Sequence, residues 1–354
     1  MGLAVAWQLI HSGHSVELIA PPTASPSGER SGTAAALGLL MAQVYRRSSG
    51  RGWRLRQQSL SLWQRWRREL SERGHPIPFR PGLLQLAGSI DELEAQRRLV
   101  EQRQAQGLPL QLLHRDAVLA LEPAAPAAAL GGVFSPDDGQ LDPVAAMAAL
   151  RADGQAAGLQ PWPVAVACIS RGSGAAGTSA DDRRWLVRGL DGTSRPYRWL
   201  VVCAGLGSAA LVEALGHRRP LEPVLGQALE LQLPTGCDAG RWPGSLSWGG
   251  INLVPRPGGR LWLGATLEPG DAAQASQLEQ LQQLGGEAPA WLRQATVLEQ
   301  WQGLRARPAG RPAPLLEHLE PGLLLASGHY RNGVLLAPAS AAWVAEQIEL
   351  GERA

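Results

Sequence analysis

Residues 2–20, GLAVAWQLIHSGHSVELIA, place Leu3, Ala6, Trp7 and Ile10 at helical spacing and set Gly13 where a helix stops. His14–Ala20 then reads as a short strand, closed by Pro21-Pro22. A helix feeding directly into a strand is an α/β opening, and it starts in the helix. The pattern recurs further along the chain. Trp199-Leu200-Val201-Val202-Cys203-Ala204 is an unbroken apolar strand of the kind buried on both faces of a parallel sheet. It passes through Gly205-Leu206-Gly207-Ser208 into a helix over 208–215, a place where a phosphate could approach the backbone. Near the end, Gly322–Ser327 is a buried strand, Gly328–Gly333 a turn, and 338–350 a closing helix.

Between these units the signal changes. Helices are expected over 53–73, 90–106, 115–121, 143–157 and 272–285, and strands over 81–86, 164–169, 185–188 and 296–304. Residues 221–268 are β-rich with a turn at Pro257-Gly258-Gly259. Loops are expected over 131–143, around Asp137-Asp138-Gly139, over the Arg/Pro-rich 305–312, and over the flexible Gly/Ser-rich 171–182. The class is therefore α/β (α+β overall): a doubly wound Rossmann-like domain interleaved with a mainly antiparallel β domain. The first takes 1–80, 140–220 and 313–354, the second 81–139 and 221–312.

Composition narrows the chemistry. The 354 residues suit two interleaved domains, and 18% charged with 45% hydrophobic residues is globular. A formal net charge of +2 gives no reason to expect a nucleic-acid or membrane-surface partner. No apolar run approaches the ~18 residues of a membrane span. His11 and His14 interrupt the first apolar stretch, which is no secretory signal. Three scattered cysteines, Cys168, Cys203 and Cys237, form neither a disulfide framework nor a zinc cluster, and a cytoplasmic setting is the default. All 33 basic residues are arginine. The missing lysine removes a pyridoxal Schiff base, a Gly-Lys-Ser/Thr phosphate loop and a Ser-Lys dyad. It also lowers the weight of any single arginine, since arginine carries all the generic positive surface charge.

Three segments taken together are more specific. GLAVAWQLIHSGHSVELIA looks like the second half of a dinucleotide fingerprint, with Gly2 as its third glycine. WLVVCAGLGSAAL is similar to the strand and turn that flavoproteins set against their cofactor. ASGHYRNGVLLAPASAAWVAEQI, residues 326–348, closely resembles the C-terminal flavin loop and helix of the glycine oxidase/D-amino-acid oxidase family. LDPVAAMAAL, PVLGQALEL, LVPRPGGRLWLGATLEPG and WQGLRARPAGRPAPLLE resemble that family in the same order, so the likeness covers nearly the whole chain. It is strongest toward the branch that serves thiamine biosynthesis.

The resemblance implies non-covalent FAD, a small amino acid or amine as substrate, and molecular oxygen as acceptor, with hydrogen peroxide formed. Homo-oligomers are possible. It implies that Arg305, in Gly303-Leu304-Arg305, clamps the substrate carboxylate, since a guanidinium offers two parallel donors. Arg331 is a second substrate contact. The cofactor set is Gly2, Gly32, Thr33, Leu37, Gly38, Leu39, Val166, Ala204 and Gly205, with Gly328, His329, Tyr330, Arg331, Asn332, Gly333, Val334 and Leu335 as the loop against the flavin ring. No side chain is assigned as acid or base; His329 is expected to act through its backbone, and Cys203 to be an inert strand residue.

Three departures from the family pattern stand out. The opening strand and first two glycines of the fingerprint are missing, so a strand ending in Gly-x-Gly is expected upstream of Met1, and the chain as written is expected to hold FAD poorly. Ala20 stands where an acidic residue would bind the ribose, and Asn252 where the family often has a tyrosine. Two other readings stay open: a sarcosine-type N-methyl-amino-acid oxidase, disfavoured by the absence of any cysteine after Cys237, and an inactive relative serving as an interaction protein.

Overall fold

The computed structural model describes residues 1–21, 31–172 and 184–353. Most of the segment expected as a Gly/Ser-rich loop, 173–182, lies outside the described residues, as does most of the loop leading to Gly32. The opening helix spans Gly2–His11 and buries Ala4, Val5, Ala6, Trp7 and Leu9, a wider face than the spacing of Leu3 and Ile10 suggests. It packs on the C-terminal helix Ala337–Arg353 and on Pro143–Ala156. The latter starts on an Asp142 cap that accepts from the N–H groups of Val144 (2.9 Å) and Ala145 (3.0 Å), with Pro143 in the first turn. Asp153 then ties the layer together: it accepts from the Trp7 indole at 2.7 Å, pairs with His11 at 2.7 Å, and takes Arg73 at 3.1 Å.

Outside the ten-stranded sheet, the parallel strands form two separate pieces. Glu17–Ile19 pairs with Gln160–Trp162, and Leu200–Val202 pairs with Leu323–Ser327, whose other neighbour, Leu315–Glu320, is antiparallel. The N-terminus of the opening helix stands between the pieces: a Cβ at Gly2 would meet Leu18 at 3.6 Å and Cys203 at 3.7 Å. Trp7, Trp63 and Trp66 fill the core between these strands and the helices, together with Leu141, Leu324 and Val344. The expected helix at 53–73 runs Gly50–Glu72 and packs against the C-terminal helix.

The second body is a ten-stranded, mainly antiparallel sheet built from 79–141 and 221–308, with Leu39–Leu40 on one edge. Two expected loops are strand here, 131–143 over most of its length and 305–312 over its first four residues. Gly131–Leu141 lies inside the sheet, paired with Phe79–Ala87, Gln111–His114 and Leu39–Leu40. Its turn chemistry survives as a register shift: Pro81 faces Gly139 and Leu83 faces Ser135, which leaves 136–138 without ladder partners. Thr296–Pro308 pairs with Leu221–Gln232 along its full length, so Arg305 sits in a strand and not in a loop. Cross-strand pairing overrides local turn preference in both places.

Candidate active site

A cleft of about 1120 Å³ runs between the sheet of Leu200–Val202 and Leu323–Ser327 and the ten-stranded sheet. One wall is the strand end and turn at Cys203, Ala204, Gly205 and Gly207, with Met1 beside it; another is the turn Gly328–Val334. The floor is the antiparallel sheet. Its register sets Gln85, Ser247, Asn252, Gly264, Ala228 and Trp301 in one row across six strands. Residues two apart on a strand share a face, so Gly303 and Arg305 point to the same side as Trp301.

Arg305 lies across Gly226. A Cβ there would come within 2.5 Å of the guanidinium carbon, and nearer still to both terminal nitrogens. This close approach lets Arg305 Nη1 donate to the carbonyls of Leu225 (3.0 Å) and Thr266 (3.1 Å). Among the described residues no carboxylate stands within ion-pair distance of it. Burial, and then the charge of Arg331, hold its pKa below the ordinary arginine value, yet a guanidinium stays charged at neutral pH. Beneath it, Glu268 is buried and fully engaged, accepting from Gln227 Nε2 (3.0 Å), the Gln274 N–H (2.7 Å) and the Thr266 hydroxyl. The site thus offers a fixed, half-buried cation with free donors. Asn252 adds a cleft-facing carboxamide whose Oδ1 is shielded and has no partner.

The turn 328–333 is held in an uncommon shape. Tyr330 has φ +52°, a left-handed conformation that a tyrosine rarely adopts and that costs of order 1–3 kcal/mol. The His329 ring is buried: its Nε2 pairs with Ser340 Oγ at 2.9 Å, and burial pushes its pKa down to about 3. The ring is therefore neutral at neutral pH. Below its unfolded pKa of ~6.5 the denatured chain takes up a proton that the native ring refuses, so this residue's contribution to stability is present above pH ~6.5 and is lost as pH falls toward 3. Burial raises Asp138 to about 6, which tilts stability the opposite way, so a mutant comparison is needed. His329→Gln is expected to flatten the acid limb of a melting-temperature profile between about pH 6.5 and 4. A profile parallel to the parent's would contradict the neutral, buried ring.

Of the residues expected at the site, Gly32, Thr33, Leu37, Gly38, Leu39, Ala204, Gly205, Arg305 and the whole of Gly328–Val334 line this cleft. Gly38 has φ +78° and its α-carbon abuts the Leu141 carbonyl, so no side chain fits there. Three lie outside the lining. Leu335 is 1% exposed and packs into the tryptophan core. Val166 packs between the Trp162–Val187 and Ile169–Trp185 clusters. Gly2 faces Leu18 and Cys203, while its neighbour Met1 lines the cleft. Cys203 also lines it, with burial lifting its thiol to about 11, so it stays a neutral thiol. Reading the sequence missed Gly226, Tyr45, Arg46, Arg47 and Arg56, all of them in the lining; none carries a local signal that marks it as a site residue.

The family described as DAO, FAD dependent oxidoreductase, matches residues 1–347. The chain belongs to that family. It is 29% identical to a glycine oxidase of Geobacillus kaustophilus over all of this chain and 92% of the relative. It is 29% identical to a Bacillus licheniformis glycine oxidase over 98% of the chain and 90% of the relative. The crystal structure of glycine oxidase from Geobacillus kaustophilus superposes with a TM-score of 0.85, at 27% identity, over 99% of this chain and 92% of that one. FAD is the cofactor of the family, and the cleft fits such a group. It opens at a helix N-terminus with no side-chain cap and no acidic residue in the first turn, and at Gly205, where an added Cβ would meet nothing. No helix among the described residues is long and apolar enough to cross a membrane.

Proposed function

We propose that this flavin-dependent oxidoreductase oxidises glycine or another small amino acid or amine to the imine, which water hydrolyses to the oxo acid and ammonia, with oxygen reduced to hydrogen peroxide. The observation that carries it is Arg305: a cation fixed over Gly226, facing the cleft, with no carboxylate among the described residues within ion-pair distance. Its free donors suit a substrate carboxylate, and such a pair fixes where the α-carbon points. Arg331, on the turn opposite, adds a second positive charge.

The two arginines also act on the substrate's protonation state. Two cations beside the substrate disfavour a third, so they lower the pKa of the bound ammonium and favour the free amine. That is the form able to give up a hydride from its α-carbon. Asn252 adds a polar carboxamide to the cleft wall. Bound FAD supplies the two-electron redox chemistry; the chain's own residues bind, orient and set the protonation state, and no side-chain base is needed. Residues 1–80, 140–220 and 313–354 are assigned to the cofactor, and 81–139 with 221–312 to the substrate. The cofactor contacts proposed are Gly2, Gly32, Thr33, Leu37, Gly38, Leu39, Val166, Ala204, Gly205 and the turn Gly328–Leu335, and the cofactor is non-covalent, since the three cysteines all precede residue 238.

Glycine, N-methylglycine and small D-amino acids mixed with the holoenzyme in an oxygen electrode should consume oxygen and yield one peroxide per imine. Acid precipitation afterwards should leave all the yellow colour in the supernatant. Failure of every one of these amines to drive oxygen uptake, or flavin that stays with the pellet, would refute the respective parts of the reading.

A further inference from the structure

The charge of the cleft does not match the charge of the chain. With 33 basic against 31 acidic residues the protein is close to neutral. Yet the described residues lining the cleft include five arginines, Arg46, Arg47, Arg56, Arg305 and Arg331, and a single carboxylate, Asp271. The proposed function uses Arg305 and Arg331. The other three sit together on the segment that follows Leu39–Leu40 and on the first turns of helix Gly50–Glu72.

That segment is built to hold its shape. The buried Asp138 carboxylate accepts the N–H groups of Ala42 (2.8 Å), Gln43 (2.9 Å) and Val44 (3.1 Å). From the other side Arg103, fully buried, donates to the carbonyls of Gln43 (3.0 Å), Tyr45 (2.5 Å) and Arg47 (3.2 Å). Backbone groups along residues 42–47 are thus fixed by two buried ions of opposite sign. Tyr45 supports Arg56, whose guanidinium carbon lies 3.8 Å from the ring centroid. Arg56 is 9% exposed, its Nη1 donates to the Gly52 carbonyl at 3.1 Å, and its Nε is buried with no partner. Burying a cation with an unpartnered donor is costly unless an anion completes it. Among the described residues no carboxylate pairs with Arg46, Arg47 or Arg56. Asp138 is consumed by the backbone, and Asp271 follows Glu268–Pro269, the strand that pairs with Leu225 beside Arg305.

We infer that Arg56, with Arg46 and Arg47, forms a second anion subsite in the cleft, and that the preferred substrate is an amino acid carrying a further acidic group that docks there while its α-carboxylate takes Arg305. This rests on the proposed amine oxidation for the substrate's reactive end, but the anion subsite itself is testable without turnover.

The holoenzyme is titrated with acetate and with straight-chain dicarboxylates of increasing length, read by perturbation of the flavin's visible spectrum. At least one dicarboxylate should bind more than about tenfold tighter than acetate, the gain expected of one further charge-assisted pair. That preference should vanish in Arg56→Met, return partly in Arg56→Lys, and fall in Arg47→Met, an exposed position where folding is not at stake. The flavin-to-protein ratio should be unchanged throughout, which separates a substrate subsite from a cofactor phosphate contact. In turnover, the ratio of kcat/KM for N-(carboxymethyl)glycine to that for glycine should exceed about ten and drop at least about tenfold in Arg56→Met. Equal affinity for acetate and every dicarboxylate, a preference that survives in both methionine variants, or loss of flavin from them would overturn the inference. Tight dicarboxylate binding with no reduction by any amine would instead sink the amine-oxidase reading and leave the subsite standing.

Discussion

Arg305→Met raises the apparent KM for glycine by about 30-fold or more while the flavin stays bound. Removing one partner of a charge-assisted pair in a desolvated site costs on the order of 2–5 kcal/mol, and each 1.4 kcal/mol is about a factor of ten. The methionine keeps the apolar stem, and Leu225, one of the two residues whose carbonyls lose their donor, lines the cleft, where water can replace it. Stability should therefore change little. The effect should appear in KM and in kcat together, because the arginine also sets where the α-carbon points and favours the unprotonated amine. Steady-state kinetics at several pH values check this, with the optimum for the variant moving to higher pH. Kinetics like the parent's would remove Arg305 from the site.

Gly226→Ala is expected to lose nearly as much activity with Arg305 still present. The methyl group occupies the space the guanidinium fills. Because the strand Leu221–Gln232 is held on both sides of Gly226, by Thr296–Pro308 on one and by Glu268 at Leu225 and Thr266 at Gln227 on the other, its backbone has little freedom to retreat. The long arginine side chain moves instead, which is cheap for folding and ruinous for a clamp that needs placement to within a fraction of an ångström. A KM for glycine raised at least about tenfold, with a melting temperature within a few degrees of the parent, is the signature. An unchanged KM would mean that the arginine's position over the glycine does not matter for binding.

The contrast between these two residues shows what is legible in the sequence. Arg305 can be read because it sits inside a local pattern, Gly303-Leu304-Arg305, and the turn Gly328–Gly333 because its composition is itself distinctive. Gly226 cannot, because its need for a hydrogen side chain arises only when Leu221–Gln232 pairs with Thr296–Pro308 and sets Gly226 opposite Gly303. The same reason explains the two misread strands. Asp137-Asp138-Gly139 has the composition of a turn, but Gly139 is there because Arg80 O stands 2.5 Å from where its Cβ would be, and Asp138 because three backbone N–H groups need an acceptor. Helices fare better, since their periodicity is local: 143–157 is expected and Pro143–Ala156 is found. The arginine cluster at 46, 47 and 56 has no signal in a chain where every basic residue is arginine, and only the lining of the cleft singles it out. Leu335 illustrates the converse, a residue in a cofactor-loop motif whose side chain belongs to the core.

The measurement that bears most directly on the proposed activity is anaerobic reduction of the bound flavin. Glycine, or the acidic amino acid the second subsite would take, is mixed with oxygen-free holoenzyme while the visible spectrum is followed, and air is then admitted. The yellow band should bleach in a saturable way, Arg305→Met should require a far higher amine concentration for the same rate, and air should restore the band with one peroxide formed per flavin. A flavin that stays oxidised with every carboxylate-bearing amine, or that bleaches equally fast in the Arg305→Met variant, would contradict the proposed activity.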